Sequence, residues 1–297
     1  MLFARQRVLL ELLDALDEPV NSTDFQQLLF LYTREGESTP SYDFVPSRFG
    51  CFSFTADADT ERLADQELIT NGDTRTLTDK GRCVARADQR SRLPMAGFFR
   101  QYKRLRSNAL AADVYRRYPY FAARSEIIEN VLPQKEDRAR VEAARPTRQI
   151  PGLVTIGYEG KTLESYLNQL LQAGVTLLCD VRRNPLSRKY GFSKSTLSHA
   201  CEVVGIKYEH LPELGIPSEK RHGLEAQADY DMLFAAYEET MLPKHTQTLA
   251  KIAGWINEEG QRVALTCFEL LPHQCHRHCV SDALQKIFRP KLAAHHI

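Results

Sequence analysis

The stretch LTCFELLPHQCHRHCVSDAL, residues 265–284, packs Cys267, Glu269, His273, Cys275, His276, Arg277, His278 and Cys279 into a short run. Thiols, imidazoles, a carboxylate and a guanidinium in that mixture can serve a metal site, a catalytic cluster, or an anion cradle at a helix start. Spacing argues against metal. A structural zinc site usually brings two ligand pairs from separate loops, whereas these ligands share one segment and Cys275 and Cys279 share a helix face. The expectation is no metal and no cofactor. Cys275 in a first helical turn beside His276 and Arg277 is expected to have a lowered pKa, as a nucleophile or redox-sensitive thiol; a small core residue is the other reading. His276 reads as a general acid/base or orienting donor, or as a buried, hydrogen-bonded histidine.

These residues need elements to aim them. From Leu153 the chain alternates apolar runs with amphipathic stretches: LVTIG, VTLLCDVR, IKYEHL and QRVALTCFE read as strands, separated by helices. Strands that are apolar throughout and joined by helices predict a parallel sheet covered on both faces, with ligands beyond the carboxyl ends of the strands. The residues at those ends are Tyr158, Asp180, Arg182, Arg183, Tyr208, Cys267 and Glu269, and Cys275-His276-Arg277 follow at a helix start. Asp180 and Glu269 could be a general acid and base, or one a nucleophile. Arg182, Arg183 and Arg277 are forks suited to phosphate or carboxylate; an ion pair of Asp180 with Arg182 or Arg183 that fixes the loop is the structural alternative. Ser187, Tyr190 and Phe192 could wall a pocket around a base or sugar, though the aromatics fit a core equally. GYEGKT at 157–162 ends like a phosphate-binding loop, but only two residues separate its glycines, too few to wrap a triphosphate.

TIGYEG, LLCDVRRNPLSR, FSKSTL, GIKYEHLPELG and TCFELLPHQCHR, in this order, resemble the domain-of-unknown-function 488 family over about residues 153–290. The resemblance implies an α/β fold and enzymatic or nucleic-acid-linked roles, with no firmly assigned activity. Tyr158 stands where many relatives carry a histidine after Ile-Gly.

The N-terminal half has a different grammar. Val8, Leu9, Leu12, Leu13 and Leu16 recur at helical spacing. A second helix follows NSTDF, with Ser22 or Thr23 as cap, and TERLADQELI gives a third. ELITNGDTRTLTDKG then reads as a strand, an Asn-Gly turn and a strand. Helices followed by a hairpin predict a winged helix-turn-helix unit, and YDFVPSRFGCFSF, LADQELI and LTDKG are similar to the N-terminal part of antitoxin-type proteins of the SocA/Panacea kind.

Charge is segregated along the chain. Residues 1–81 hold 7 Lys and Arg against 15 Asp and Glu, residues 82–150 hold 16 against 7, and residues 151–297 hold 16 against 16. DNA affinity comes mainly from cations meeting phosphate, so the acidic first segment is a poor base reader. In the basic middle segment Arg100, Lys103, Arg104, Arg106, Arg116 and Arg117 alternate with tyrosines. That suits a nucleic-acid groove, or a connecting helix with a solvated basic face. LPQKEDRARVEAARPTRQIPG, charged and with three prolines, is the candidate linker.

The sequence therefore predicts an α/β chain: a mostly helical winged-helix-like domain at 1–81, a basic helical connector and linker at 82–150, and a three-layer parallel-sheet domain at 151–297. Acidic residues in the first helical stretch argue against a secretion signal, no apolar run is long enough to cross a membrane, and seven cysteines suggest a reducing, cytoplasmic setting. The expected function is an enzyme acting on a phosphorylated nucleoside, nucleotide or nucleic acid, by hydrolysis or glycosyl- or phosphoryl-type transfer. The alternative is a non-catalytic nucleotide-like ligand sensor whose winged unit regulates DNA or protein binding. Partners are a nucleotide or other phosphorylated small molecule, DNA or RNA through the basic connector, and a second copy in a homodimer.

Overall fold

A computed structural model describes residues 2–87, 95–102, 105–147, 150–221, 223–287 and 294–297. Lys103 and Arg104, expected as nucleic-acid contacts, lie outside the described residues. The chain divides into two compact units, Met1–Arg145 and Pro146–Ile297.

In the first unit, α1 (Ala4–Leu16) buries Leu9, Leu12, Leu13 and Leu16, the residues whose spacing predicted it. It stops at Asp17, whose left-handed backbone (φ 53°) closes the last turn onto Leu13. β1 (Val20–Asn21) leads into α2 (Ser22–Glu35), and the cap is Asn21 rather than Ser22 or Thr23: its Oδ1 accepts from Asp24 N at 2.8 Å. Between α2 and the next helix lies an antiparallel hairpin, β2 (Val45–Ser47) with β3 (Gly50–Phe52). α3 (Phe54–Asp65) starts earlier than its periodicity suggested because Ser53 caps it, accepting from Ala56 N. The chain reverses at the Asn-Gly turn, Ile69 bridging Leu77, and β4 (Thr74–Arg75) pairs antiparallel with β1.

The basic segment is no isolated connector. After α4 (Asp79–Ala85), Phe99, Tyr102, α5 (Ser107–Arg117), Phe121 and α6 (Ile128–Val131) contribute to the same hydrophobic core as Leu9, Phe25 and Leu63. Within the expected linker, residues Lys135–Ala143 form α7, and its Asp137 pairs with Arg116 at 2.7 Å. Shared packing explains the charge segregation. Arg86 meets Asp14, Arg106 meets Glu18, and Arg117 meets Glu35 and Asp113. The acidic and basic segments are complementary halves of one body, and Met1–Arg145 holds 22 Lys and Arg against 22 Asp and Glu.

The second unit is a five-stranded, all-parallel sheet. Its strands are β5 (Gly152–Gly157), β6 (Leu177–Asp180), β7 (Lys207–His210), β8 (Arg262–Cys267) and β9 (His295–His296), in the spatial order β7-β6-β8-β5-β9. Three strands, β5, β6 and β8, were legible as buried apolar runs; β7, read from IKYEHL, is an exposed to half-buried edge, and β9 is a two-residue edge, too short to leave a pattern. Alternation sorts the two faces. Leu177, Cys179, Val263, Leu265 and Cys267 join one core with residues of α10 (Gln227–Thr240), α11 (Thr246–Asn257) and α12 (Arg277–Ile287). Asp180 and Thr266 alternate to the opposite face, where Thr266 accepts from Tyr166 of α8 (Leu163–Gln172) at 2.7 Å. Next on this side along the chain is α9 (Lys194–Val203). Among the described residues no helix is long and apolar enough to cross a membrane.

Glu35 ties the halves of the first unit together. It accepts from Arg117, from Tyr118 Oη at 2.7 Å and from Tyr102 Oη at 3.2 Å. Burial raises its carboxyl pKa, but the bonds from Arg117 and Tyr118 outweigh that, and the net shift is downward. A depressed folded pKa contributes stability above the unfolded value near 4.3 and loses it as pH falls through the folded value. Glu35→Gln is therefore expected to cost about 1–3 kcal/mol at pH 7. The gap from wild type should close as urea-melt midpoints are followed below about pH 4; a gap constant with pH would contradict the assignment.

Candidate functional site

A cavity of about 320 Å³ lies at the carboxyl ends of β5, β6 and β8. Tyr158, Cys267, Phe268, Glu269 and His276 form one part of its lining, and Arg182, Arg183, Asn184, Ser187 and Arg188 of the loop after β6 form another. Two glycines set how closely these segments approach. A Cβ on Gly157 would sit 1.9 Å from the carbonyl oxygen of Glu269, and one on Gly215 would sit 2.1 Å from the amide nitrogen of Arg183. Both are backbone approaches that only glycine permits. The Ile-Gly and Leu-Gly pairs of the sequence are thus spacers that let the Glu269 and Arg183 segments close in.

Asp180 and Arg182 form a buried pair beneath the cavity. Arg182 Nε donates to Asp180 Oδ1 at 2.8 Å and Nη2 to Oδ2 at 2.5 Å, while Nη1 donates to Tyr158 Oη at 2.9 Å and to Phe192 O at 2.8 Å. Tyr208 Oη donates to Asp180 Oδ2 at 2.7 Å. Tyr158 stacks on Phe192 with ring centroids 4.3 Å apart. Burial lowers the Arg182 pKa, and the bond to Asp180 overcomes this to hold the guanidinium charged; burial and the Asp180 charge push the Tyr208 phenol up. Tyr158, Asp180, Arg182 and Tyr208 therefore come together as one network that fixes the loop. The arginine does not present an open fork to an anion, and the Tyr208 phenol stays a protonated donor to Asp180.

Arg277 also turns inward. Its side chain is buried, with Nη1 donating to Glu269 O at 2.5 Å and Nη2 to Leu270 O at 2.8 Å. It clamps the backbone that carries Glu269 instead of gripping a ligand. The cations at the cavity are the exposed Arg183 and Arg188. Sequence reasoning missed Arg188, although it directly follows Ser187 in the same loop. Ser187 lines the cavity, and its Oγ accepts from Lys189 N at 3.1 Å.

His276 Nε2 lies 3.0 Å from Val181 O, and Nδ1 lies 3.7 Å from Cys267 Sγ. A carbonyl oxygen only accepts, so Nε2 carries a hydrogen and donates it to Val181 O, while Nδ1 faces the Cys267 sulfur. Cys267 Sγ is 3.5 Å from Glu269 Oε2. Cys275 reverses its expectation: the helix begins at Arg277, the Cys275 amide is bonded to Pro272 O, and burial with the neighbouring Cys267 pushes its thiol well above the ordinary range. It is no activated thiolate in this setting.

The basic nucleic-acid candidates that are described belong to the first unit. Arg106, Arg116 and Arg117 engage Glu18, Asp137 and Glu35 within the first unit, while Arg100 is exposed.

Residues 162–284 match the family model described as Domain of unknown function DUF488. The match takes in the arginine loop, Gly215, Glu269 and the Cys275-His276-Arg277 segment, and begins after Tyr158. No curated protein and no solved structure matches the chain. The winged-helix and SocA/Panacea resemblance of residues 1–81 finds no support in these comparisons.

Asp180→Asn removes the counter-charge of a buried guanidinium and is expected to cost about 3–5 kcal/mol. Urea unfolding read from the second unit checks this. A loss below about 1 kcal/mol, the scale of an exposed pair, would mean that the network does not hold the loop.

Proposed function

We propose that the second unit is an enzyme acting on a phosphorylated nucleoside, nucleotide or nucleic-acid end, by hydrolysis or glycosyl- or phosphoryl-type transfer at the strand-end cavity. The observation that carries the proposal is the composition of that cavity: the half-buried carboxylate of Glu269 across from the exposed guanidinium side chains of Arg183 and Arg188. A volume of about 320 Å³ is at the small end of ligand pockets, the size of one nucleoside phosphate.

Each group has a role in this reading. Arg183 and Arg188 bind the phosphate, bidentate where geometry allows. Asn184 and Ser187 supply neutral hydrogen bonds to the sugar. Phe268 and Leu186, 43% and 74% exposed, offer an apolar cover for a base. Asp180 is paired with Arg182 beneath the cavity, and Glu269, whose carboxylate lines it beside Cys267 Sγ, acts as general acid or base. Asp180, Arg182, Tyr208 and Arg277 are positioning residues. All seven cysteines are free thiols, in keeping with a reducing cytoplasm.

The sensor reading keeps one observation in its favour. The first unit runs helix, strand, helix, helix and hairpin, with β1 paired to β4, which is the element order of a winged helix-turn-helix interrupted by the β2–β3 hairpin. In that reading the cavity binds the same anion without turning it over, and the winged unit or a homodimer transmits its occupancy.

Nucleoside 5′-monophosphates are the first probes, with binding followed by calorimetry and turnover by chromatography of products. Glu269→Gln is expected to lower turnover by roughly 100-fold or more while binding stays within about threefold. Arg183→Ala with Arg188→Ala should weaken binding by at least about tenfold. Binding without turnover in the wild type would retire the enzyme reading in favour of the sensor.

A further inference from the structure

The segment from Leu265 to Leu284 folds back on itself. Cys267 ends β8, a turn at Pro272–Gln274 reverses the chain, and Cys275 and His276 return alongside. Cys267 Sγ, Cys275 Sγ and a ring nitrogen of His276 all lie within 4.8 Å of one another, and all three residues are buried. From this convergence we propose that Cys267, Cys275 and His276 hold a zinc ion whose fourth coordination position faces the strand-end cavity.

Ligand chemistry and geometry agree. Two sulfurs and an imidazole are a soft set that selects zinc over magnesium or calcium. Zinc bonds of about 2.3 Å to sulfur and about 2.0–2.1 Å to nitrogen, at tetrahedral angles, place those two atoms about 3.6 Å apart. Cys267 Sγ and His276 Nδ1 are 3.7 Å apart. A ligating histidine characteristically donates its other ring N–H to a carbonyl or carboxylate, which fixes tautomer and ring angle. His276 does so to Val181 O.

Coordination number assigns the kind of site. A structural zinc is closed by four protein ligands, whereas a catalytic zinc has three and an open position. Cys267 and His276 line the cavity, and Cys275 is buried beside them. Glu269, whose Oε2 is 3.5 Å from Cys267 Sγ, also lines the cavity and stands beside the open position. The metal site does not depend on the substrate proposed above; a carboxylate next to a zinc-bound water would give that reading a nucleophile.

A competing cluster lies in the same segment. Glu238, His278 and Cys279 also bring their ligand atoms within 4.8 Å of one another, but Glu238 is exposed and His278 half-buried. Those three offer one sulfur where the proposed site offers two, which a cobalt spectrum distinguishes.

The test uses the full chain, reduced and stripped of metal, titrated with zinc and with cobalt in the absence of any substrate. The expected result is about one equivalent bound, with cobalt giving thiolate charge-transfer absorption and the d–d bands of a tetrahedral site. Cys267→Ser and Cys275→Ser should each reduce zinc affinity by more than roughly 100-fold, beyond the loss of an outer-sphere contact. Cys279→Ser should leave affinity and spectrum unchanged. Absence of cobalt–thiolate absorption in the wild type would overturn the proposal even where a cysteine variant fails to fold. So would loss of binding in Cys279→Ser together with its retention in Cys275→Ser. Metal binding without nucleotide turnover would leave the zinc site standing and remove only the enzymatic reading.

Discussion

A guanidinium taken out of water must find acceptors, and the buried Arg277 finds them in the carbonyls of Glu269 and Leu270. Its Nε, also buried, has no hydrogen-bond partner among the described residues, so the terminal nitrogens carry the clamp. Everything at the cavity depends on this contact. It fixes the backbone leaving β8, and Gly157 lets the same Glu269 carbonyl approach β5 at a distance no side chain would tolerate. The Arg277 charge is felt beyond the clamp: burial first and Arg277 second lower the pKa of Lys161.

The loop after β6 is held by the same principle with different acceptors. Asp180 absorbs the charge of Arg182, and Tyr158 and the Phe192 carbonyl take its remaining donors. Breaking such a pair costs more than the pair contributes, since the surviving partner stays buried and uncompensated. Two inward arginines therefore make rigid walls, and the outward Arg183 and Arg188 are displayed from them. Preorganisation of this kind spares a ligand the entropy of ordering its own site.

Much of this was legible in the sequence, in a graded way. Apolar runs located β5, β6 and β8, and strand ends located the cavity, since both follow from patterns a few residues long. The direction of each arginine did not. Arg182 and Arg183 are neighbours in sequence, yet one turns in toward Asp180 and Tyr158 and the other out, and Tyr158 lies more than twenty positions away. Charge counts misled for a related reason: the basic segment meets Asp14, Glu18 and Glu35, which long-range folding brings to it. Ligands spaced along one stretch do not stay in line. The turn at Pro272 makes two separate approaches out of that stretch, with Cys267 on one and Cys275 and His276 on the other.

Charge pairing inside the first unit also sets how it meets a charged partner. A body with 22 cations and 22 anions, many locked to one another, projects little field past a Debye length of about 8 Å at physiological ionic strength. With no net charge on this unit, the pull on an approaching polyanion comes from local patches of cations and not from the body as a whole.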